Sequence, residues 1–295
     1  MNNINQSISF NRVTVNSGKG QGTKLIYIDN NILSIVLDES HGLDILSLRY
    51  KGKLISLLTC NGLVNESKKF SSSFPGGMLY TCGLDSIGDQ EGHYQHGNFH
   101  TISGEIIRVE HNEKNLVVEG KIEVTELFGI NVTVIRRYEI ACNSGVLILE
   151  DRIINNLSTE QNYVMLYHFN FGYPFLTEGV KIDTGSTLVE GSTSFAKKEI
   201  AKHTYIENTL KPEEEVYYHL DARDNVAVSS PLGITCELKY DKKTFPILVQ
   251  WKSLVEENLA LGIEPSMSKM GDDLKYNVLQ GHEEKLHRFV LSFKD

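Results

Sequence analysis

The sequence predicts an all-β protein, a large antiparallel β-sandwich with very few short helices. Short runs of residues alternate between apolar and polar side chains, and clusters of Gly, Asn, Asp and Ser separate them. Alternation with a period of two is typical of strands with one buried face. No segment carries a sustained helical stripe over 15 residues. Since parallel strands need long crossover connections, usually helices, the sheets are expected to be antiparallel.

The predicted strands follow this alternation along most of the chain. The run INVTVIRRYEI is the clearest, because Ile130, Val132, Val134, Tyr138 and Ile140 fall on one face. Six further runs show the same pattern: 24–29, 31–38, 115–124, 145–154, 233–240 and 286–293.

One continuous domain covering residues 1–295 is the preferred organisation. The chain contains no break in composition, no linker rich in Pro and Ser and no low-complexity tract. The acidic run KPEEE (211–215) is interpreted as a solvated turn rather than as a linker between domains. A domain of this length buries enough surface for a substantial core.

Charge and composition exclude several classes of partner. The chain has 29 Lys and Arg against 38 Asp and Glu, which gives a net charge of -9. Nucleic acids and anionic membranes are bound largely through clustered basic residues, so neither is an expected partner. Residues 1–20 are polar and resemble no signal peptide, and a cytoplasmic protein is expected. The four cysteines show no C-x-x-C spacing and are expected to be reduced: Cys60, Cys82, Cys142 and Cys236.

Three stretches interrupt the alternation and are where chemistry is expected. Residues 74–100 carry six glycines and three histidines, and are interpreted as a long loop. Long loops without secondary structure are uncommon in compact domains and are often functional. Residues 163–176 form an apolar and aromatic run with one His and one Asn, and residues 259–268 contain a carboxylate in an apolar setting.

His168 and Asn170 are the polar residues of the second stretch. A lone His in such a run is more often a hydrogen-bonded structural residue than a catalytic one. On a strand, however, His168 and Asn170 share one face. Two polar groups that converge in apolar surroundings are typical of a ligand pocket, and both residues are candidates for a site.

Glu264 and Trp251 are two further candidates. Glu264 ends the short apolar run LALGIE and is followed by Pro265. A buried carboxylate must be paired, hydrogen-bonded or neutral, so an ion pair with a nearby lysine is the structural alternative. Trp251 is the one tryptophan of the chain. Its ring could stack on a sugar, although a core position is at least as plausible from the sequence.

A metal site is an alternative for the histidines of residues 74–100. His93, His96 and His100 form the series H-x-x-H-x-x-x-H. Zinc sites combine three or four His, Cys or carboxylate ligands. Gly92 and Gly97 argue against the helix that would bring the three together, and a loop histidine that contacts sugar hydroxyls is preferred.

Six short motifs in fixed order span residues 38 to 293: DESHGLDILSLRYKG (38–52), GGMLYTCGL (76–84), HGN (96–98), LYHFNFGYP (166–174), LGIEP (261–265) and QGHEEKLHRFVLSF (280–293). Their order and spacing resemble those of the galactose mutarotase-like, or aldose 1-epimerase, superfamily, in a divergent branch of it. The family fold is a large antiparallel β-supersandwich, which agrees with the predicted strands.

The resemblance implies roles for individual residues. It implies that His168 is the general acid, that Glu264 is the general base and that His96 orients the sugar. It also implies that Glu264 begins the reaction ionised and His168 protonated. Asn98, Asn170 and Trp251 are further expected sugar-binding residues. Asn98 stands where relatives carry an arginine, and no arginine occurs between residues 49 and 108.

The expected function is therefore interconversion of the α and β anomers of a monosaccharide, without a cofactor and without a metal. Two alternatives remain at this point. The first is a non-catalytic carbohydrate-binding or regulatory protein on the same fold, because one fold hosts several functions. The second is a metal-dependent sugar isomerase that uses His93, His96 and His100.

Overall fold

The structure is a computed structural model that describes residues 6–66, 69–211, 213–255 and 258–295. Its strands are short to medium in length and occupy most of the chain. In order they are β1 (Ser9–Thr14), β2 (Lys24–Asp29), β3 (Leu33–Asp38), β4 (Asp44–Tyr50), β5 (Lys53–Leu54), β6 (Leu57–Leu58), β7 (Gly76–Gly77), β8 (Leu79–Leu84), β9 (Glu105–His111), β10 (Asn115–Thr125), β11 (Asn131–Ala141), β12 (Val146–Asn155), β13 (Gln161–Phe171), β14 (Lys181–Asp183), β15 (Val189–Gly191), β16 (Glu215–His219), β17 (Asn225–Ser230), β18 (Ile234–Tyr240), β19 (Ile247–Val255), β20 (Asn258–Ser266), β21 (Asn277–Leu279) and β22 (Glu284–Lys294).

The helices of the described residues are short. The α-helices are α1 (Phe70–Ser73) and α2 (Ser194–Lys198), and single 3₁₀ turns cover Phe99–Thr101, Ile200–Thr204 and Gly271–Asp273. None of these helices is long and apolar enough to cross a membrane. The protein is therefore all-β with very few short helices, as the alternation predicts.

The strands form two large antiparallel sheets and two smaller ones. The eight-stranded sheet has the order β14-β17-β18-β22-β12-β11-β10-β9. The seven-stranded sheet has the order β15-β16-β19-β20-β13-β21, with β8 also paired to β13. A five-stranded sheet runs from β1 to β5, and β6 pairs with β7.

The two large sheets pack face to face through aromatic side chains. The ring of Phe289 in β22 lies 4.3 Å from the ring of Tyr167 and 5.6 Å from that of Phe169, both in β13. These residues are fully buried. Because side chains alternate along a strand, this packing turns His168, between Tyr167 and Phe169, to the opposite face of the seven-stranded sheet.

A buried ion network joins three sheets behind that face. Arg136 of β11 is fully buried and donates hydrogen bonds to Asp44, Thr81 and Asp151. Tyr167 donates a further hydrogen bond of 2.7 Å to Asp151. The network satisfies charges that would be costly to bury unpaired.

All seven alternating runs are strands, with ends that differ from the predicted ones by at most two residues. The loop predicted for residues 74–100 is wrong in its first part, because β7 and β8 lie there. Every residue of β8 is buried, so its sequence shows no alternation. The solvated turn predicted for residues 211–215 also needs correction: Lys211 is mostly buried and Glu215 is fully buried at the start of β16, while Pro212 lies outside the described residues.

Candidate active site

Strand register brings His168 and Glu264 together across 96 positions of the chain. β13 and β20 are antiparallel neighbours, and Leu166 pairs with Ser266 and Phe169 with Ile263. Both pairs share one register, which places His168 directly opposite Glu264. Side chains of directly opposed residues have Cβ atoms about 4.5–5.5 Å apart, so the two polar groups meet.

The contact between them is close and shielded from water. The Nε2 atom of His168 lies 3.2 Å from Oε1 of Glu264, and the exposed fractions of the two side chains are 6% and 2%. The angle is not that of a hydrogen bond, and Oε1 has no hydrogen-bond partner among the described residues. In an enzyme without substrate, such contacts are often poorly aligned and improve when substrate binds.

Gly262 makes room for this pair. It lies two residues before Glu264, so both face the same side of β20. A Cβ atom at position 262 would lie 2.3 Å from Oε1 of Glu264 and 2.7 Å from Cε1 of His168. Both distances are far below van der Waals contact, so the position accepts only glycine while the pair keeps its geometry.

The same register extends across the sheet and forms the floor of a cavity. Tyr218, Val249, Glu264 and His168 lie on adjacent strands in one row, and all four line the cavity. The cavity above this floor has a volume of about 380 Å³, which lies within the ~300–1,000 Å³ typical of small-molecule sites. Its walls come from the segments around α1, residues 88–96 and residues 270–271.

Burial favours the uncharged forms of both partners. It lowers the pKa of His168 well below the ordinary 6.5, and the neighbouring His96 acts in the same direction. Burial also raises the pKa of Glu264 well above 4.5, with a further contribution from the carboxylate of Glu214. This differs from the charged pair that the sequence resemblance implies. A neutral imidazole with a carboxylic acid and an imidazolium with a carboxylate nevertheless hold the same number of protons and differ by one transfer over 3.2 Å.

His96 lies beside the pair on the cavity wall. Its ring centroid is 6.0 Å from that of His168 and 4.9 Å from that of Phe70. Burial lowers the pKa of His96 to about 4, so the ring is neutral at pH 7. The amide of Gly88 donates to its Nδ1 at 3.4 Å, which leaves Nε2–H as a donor.

The backbone at His96 is unusual and is held by its neighbours. His96 has a φ of 68°, a left-handed conformation that is uncommon outside glycine. The next residue, Gly97, has a φ of 79°, and a Cβ there would lie 2.4 Å from the carbonyl oxygen of Ser86. The turn thus requires glycine at position 97, and strain of the kind seen at His96 is common at functional sites.

The other predicted sugar-binding residues differ in position. Trp251 lines the cavity, with its ring centroid 5.5 Å from that of His168, and its Nε1 donates to Glu214 at 2.7 Å. Asn170 is fully buried behind His168, where its Nδ2 donates to the His168 carbonyl, and it does not line the cavity. Asn98 does not line the cavity either, and its backbone N–H donates to Oδ1 of Asp85. The structure therefore places Asn170 as a support for His168 and Asn98 as part of the loop.

The three histidines of the metal alternative do not converge in the described structure. The Nδ1 atom of His93 lies 3.0 Å from Asp85, on the loop surface. His100 is buried, with Nδ1 2.8 Å from Asp44, in the ion network of Arg136. Each imidazole has its own partner, and only His96 faces the cavity.

One carboxylate cluster among the described residues has the spacing of a metal site. Glu199, Glu207 and Glu215 place one oxygen each within 4.8 Å of one another. Lys252 contacts Glu207 at 2.8 Å and Glu215 at 3.2 Å, and Lys211 contacts Glu199 and Glu207. The ammonium groups occupy the place that a cation would take, so the cluster is a structural ion network.

Sequence reasoning did not find three residues of this site. Gly262 was visible only as one letter of the LGIEP motif, and Glu214 lies in the run interpreted as a solvated turn. Tyr218 lies in β16, which was not among the predicted strands. An apolar-rich segment directly after an acidic run was the available signal for β16.

The two large antiparallel sheets packed face to face form a galactose mutarotase-like fold. Solved structures share this fold at low sequence identity. A candidate aldose 1-epimerase from Klebsiella pneumoniae matches with a TM-score of 0.89 and 19% identity over 97% of this chain and 83% of that chain. A galactose mutarotase-like protein from Clostridium acetobutylicum matches with a TM-score of 0.73 and 14% identity over 98% and 99% of the two chains.

The sequence itself identifies a narrower group. Residues 20–278 match the family described as domain of unknown function DUF4432, and the chain belongs to this family. No curated protein sequence matches the chain.

Proposed function

We propose that this protein interconverts the anomers of an uncharged aldose, with His168 and Glu264 as the proton-transfer groups. The observation that carries the proposal is their contact at 3.2 Å on the floor of a cavity of about 380 Å³. The names of the similar structures point to the same chemistry. Perturbed pKa values in a cavity are typical of acid–base catalysts.

The reaction requires one proton to be donated to the sugar and one to be removed from it. One member of the pair protonates the ring oxygen while the other takes the proton of the anomeric hydroxyl, and the bond between the anomeric carbon and the ring oxygen breaks. Rotation about the adjacent carbon–carbon bond turns the aldehyde. Reclosure on the other face returns both protons, so the pair ends as it began and consumes no cofactor.

The positions of the two groups suit this exchange. Burial disfavours a charge on either group. The pair therefore shares one transferable proton, which either His168 or Glu264 can carry. Positioned acid–base groups contribute about 10²–10⁴-fold to a rate. That range is sufficient for a reaction that already proceeds slowly in water.

The charges around the cavity favour an uncharged sugar. Its carboxylic side chains are Asp89, Glu214 and Glu264, and no Lys or Arg lines it in the described part of the chain. A phosphorylated or carboxylated sugar would lose hydration without gaining a cationic partner.

The test measures anomer exchange of glucose and galactose by NMR against a buffer blank. We expect Glu264→Gln to lose most of the acceleration, by about 10²-fold or more, and to retain sugar binding. Glu160→Gln is the matched control, because Glu160 is an exposed loop residue outside the lining of the cavity. Wild-type exchange in Glu264→Gln would reject the assignment. Sugar binding without any acceleration in the wild type would instead identify a carbohydrate-binding protein.

A further inference from the structure

A second cavity adjoins the candidate active site. It has a volume of about 720 Å³, against about 380 Å³ for the cavity of His168 and Glu264, here called the inner cavity. The two share Phe70, Phe74, Glu214 and Trp251 as common wall. The larger one, here called the outer cavity, therefore lies directly beside the inner one.

The outer cavity has the lining of a sugar subsite. Its remaining apolar residues are Leu57, Leu58, Tyr173, Val255, Leu259 and Ala260. Tyr173 is 73% exposed, Leu58 51% and Leu259 39%. Apolar side chains gathered at one opening mark a binding surface. Aromatic faces beside carboxylates and hydroxyls match a pyranose, which has apolar C–H faces and a polar edge.

The loop that forms one wall is fixed before any ligand arrives. Thr59 donates a hydrogen bond of 2.6 Å and Asn61 one of 3.0 Å to the carbonyl of Phe74, just after α1. A preorganised wall lowers the entropic cost of binding.

The charges of the outer cavity resemble those of the inner one. Glu213 and Glu214 are its ionisable carboxylates, and in the described ranges it has no lysine or arginine in its lining. An occupant of both cavities is therefore uncharged. Ser253, Thr59 and Ser71 supply hydroxyl groups for a polar edge.

The chemistry of anomer exchange fixes where an extension can be attached. The anomeric hydroxyl must be free for the ring to open, so the extension cannot be an aglycone at the anomeric carbon. It has to leave from another hydroxyl of the ring, away from His168 and Glu264. We propose that the outer cavity binds the second ring of an uncharged reducing disaccharide whose reducing end occupies the inner cavity. This assignment of substrate class depends on the proposed function.

Cys60 supplies a built-in reporter for the outer cavity. It is exposed and lines that cavity, whereas Cys82 and Cys236 are buried. Cys142 is partly exposed, so Cys142→Ser leaves Cys60 as the one accessible thiol among the four cysteines. We expect maltose or cellobiose to slow maleimide labelling of Cys60 at least several-fold, and glucose at the same concentration to leave the rate unchanged. Equal labelling rates with and without either disaccharide would overturn the proposal.

A second test measures the kinetics of a variant with a substitution in the outer cavity. Leu58→Trp fills part of the cavity and contacts neither His168 nor Glu264. We expect it to lower kcat/KM for exchange of maltose by about 10-fold or more while exchange of glucose is unchanged. Leu127→Trp is the matched control, because Leu127 is 86% exposed and lies outside the lining of both cavities. An equal effect of Leu58→Trp on both sugars contradicts the proposal.

The two arms separate failure of the subsite from failure of the proposed function. Protection of Cys60 by disaccharide with no anomer exchange for any sugar supports the subsite and rejects the function. Anomer exchange of glucose, without protection of Cys60 and without a preference for maltose, supports the function and rejects the subsite.

Discussion

Replacement of Gly262 by alanine tests whether the spacing of His168 and Glu264 determines activity. Gly262 has no side chain that could take part in the reaction, and its φ lies outside the left-handed region. The single effect of Gly262→Ala is therefore a methyl group placed against both members of the pair. The substitution removes no charge, so it tests the geometry of the pair separately from its acid–base character.

The magnitude follows from the distances. The added Cβ would lie 2.3 Å from Oε1 of Glu264 and 2.7 Å from Cε1 of His168. Ordinary contact begins at about 3.4 Å, so at least one of the two side chains must move by roughly 1 Å. A misplacement of about 1 Å costs a catalytic site on the order of 10²-fold. Overpacking of this kind costs about 1–3 kcal/mol of unfolding free energy.

The assay is anomer exchange at saturating and limiting sugar, together with urea unfolding to confirm that the variant is folded. Gly104→Ala is the matched control, because a Cβ there meets its nearest atom at an ordinary 3.4 Å and φ is also outside the left-handed region. We expect Gly104→Ala to retain wild-type exchange. A folded Gly262→Ala protein with the wild-type rate would refute the claim that this pair performs the chemistry.

Three further outcomes follow from the buried charges. Glu264→Gln is expected to increase stability at pH 7, because the buried carboxyl group ionises less readily in the folded chain than in the unfolded one. The pKa of Glu264 in the folded protein is raised above 4.5, so its carboxyl group destabilises the fold as the pH rises past 4.5. Urea unfolding at pH 4 and pH 7 should therefore show a pH dependence in the wild type that Glu264→Gln lacks. Exchange activity should persist below pH 6.5 and fall only at more acidic pH, because the pKa of His168 is lowered, and a midpoint above 6.5 would contradict this. Arg136→Met leaves Asp44 and Asp151 buried without their cation and should lower the free energy of unfolding by about 3–5 kcal/mol in urea titrations.

The strands that the sequence predicts are those with one face in the core and one outside it. Their alternation is a direct consequence of the half-buried environment. β8 was missed because it is buried on both faces and contains glycine, so no alternation exists to be found. Alternation does not reveal every buried residue type. Position 136 falls on the predicted buried face of β11, yet it is an arginine, and its side chain donates hydrogen bonds to residues of three other strands.

The candidate site was predictable in its main groups but not in its supports. His168 and Glu264 stand out as polar residues in apolar runs, and this contrast is visible in the sequence alone. Gly262 and Glu214 become functional candidates only through their neighbours in space, which depend on the pairing of β20 with β13 and of β16 with β19. Asn170 shows the limit of face arguments, since a residue on the correct face can still be covered by its neighbour.

One register explains both the fold and the site, and this makes the site sensitive to strand pairing. A slip of one residue between β13 and β20 would turn Glu264 to the face that packs on the eight-stranded sheet, among the aromatic side chains around Phe289. The same slip would turn Leu261 and Ile263, which are fully buried on the core face of β20, out of the core, at a cost of several kcal/mol. β20 is also paired with β19 along its whole length, from Val255 opposite Asn258 to Ile247 opposite Ser266. The core packing that stabilises the two sheets therefore also holds the acid–base pair in place. Beyond this packing, the geometry of the pair depends only on the absence of a side chain at Gly262.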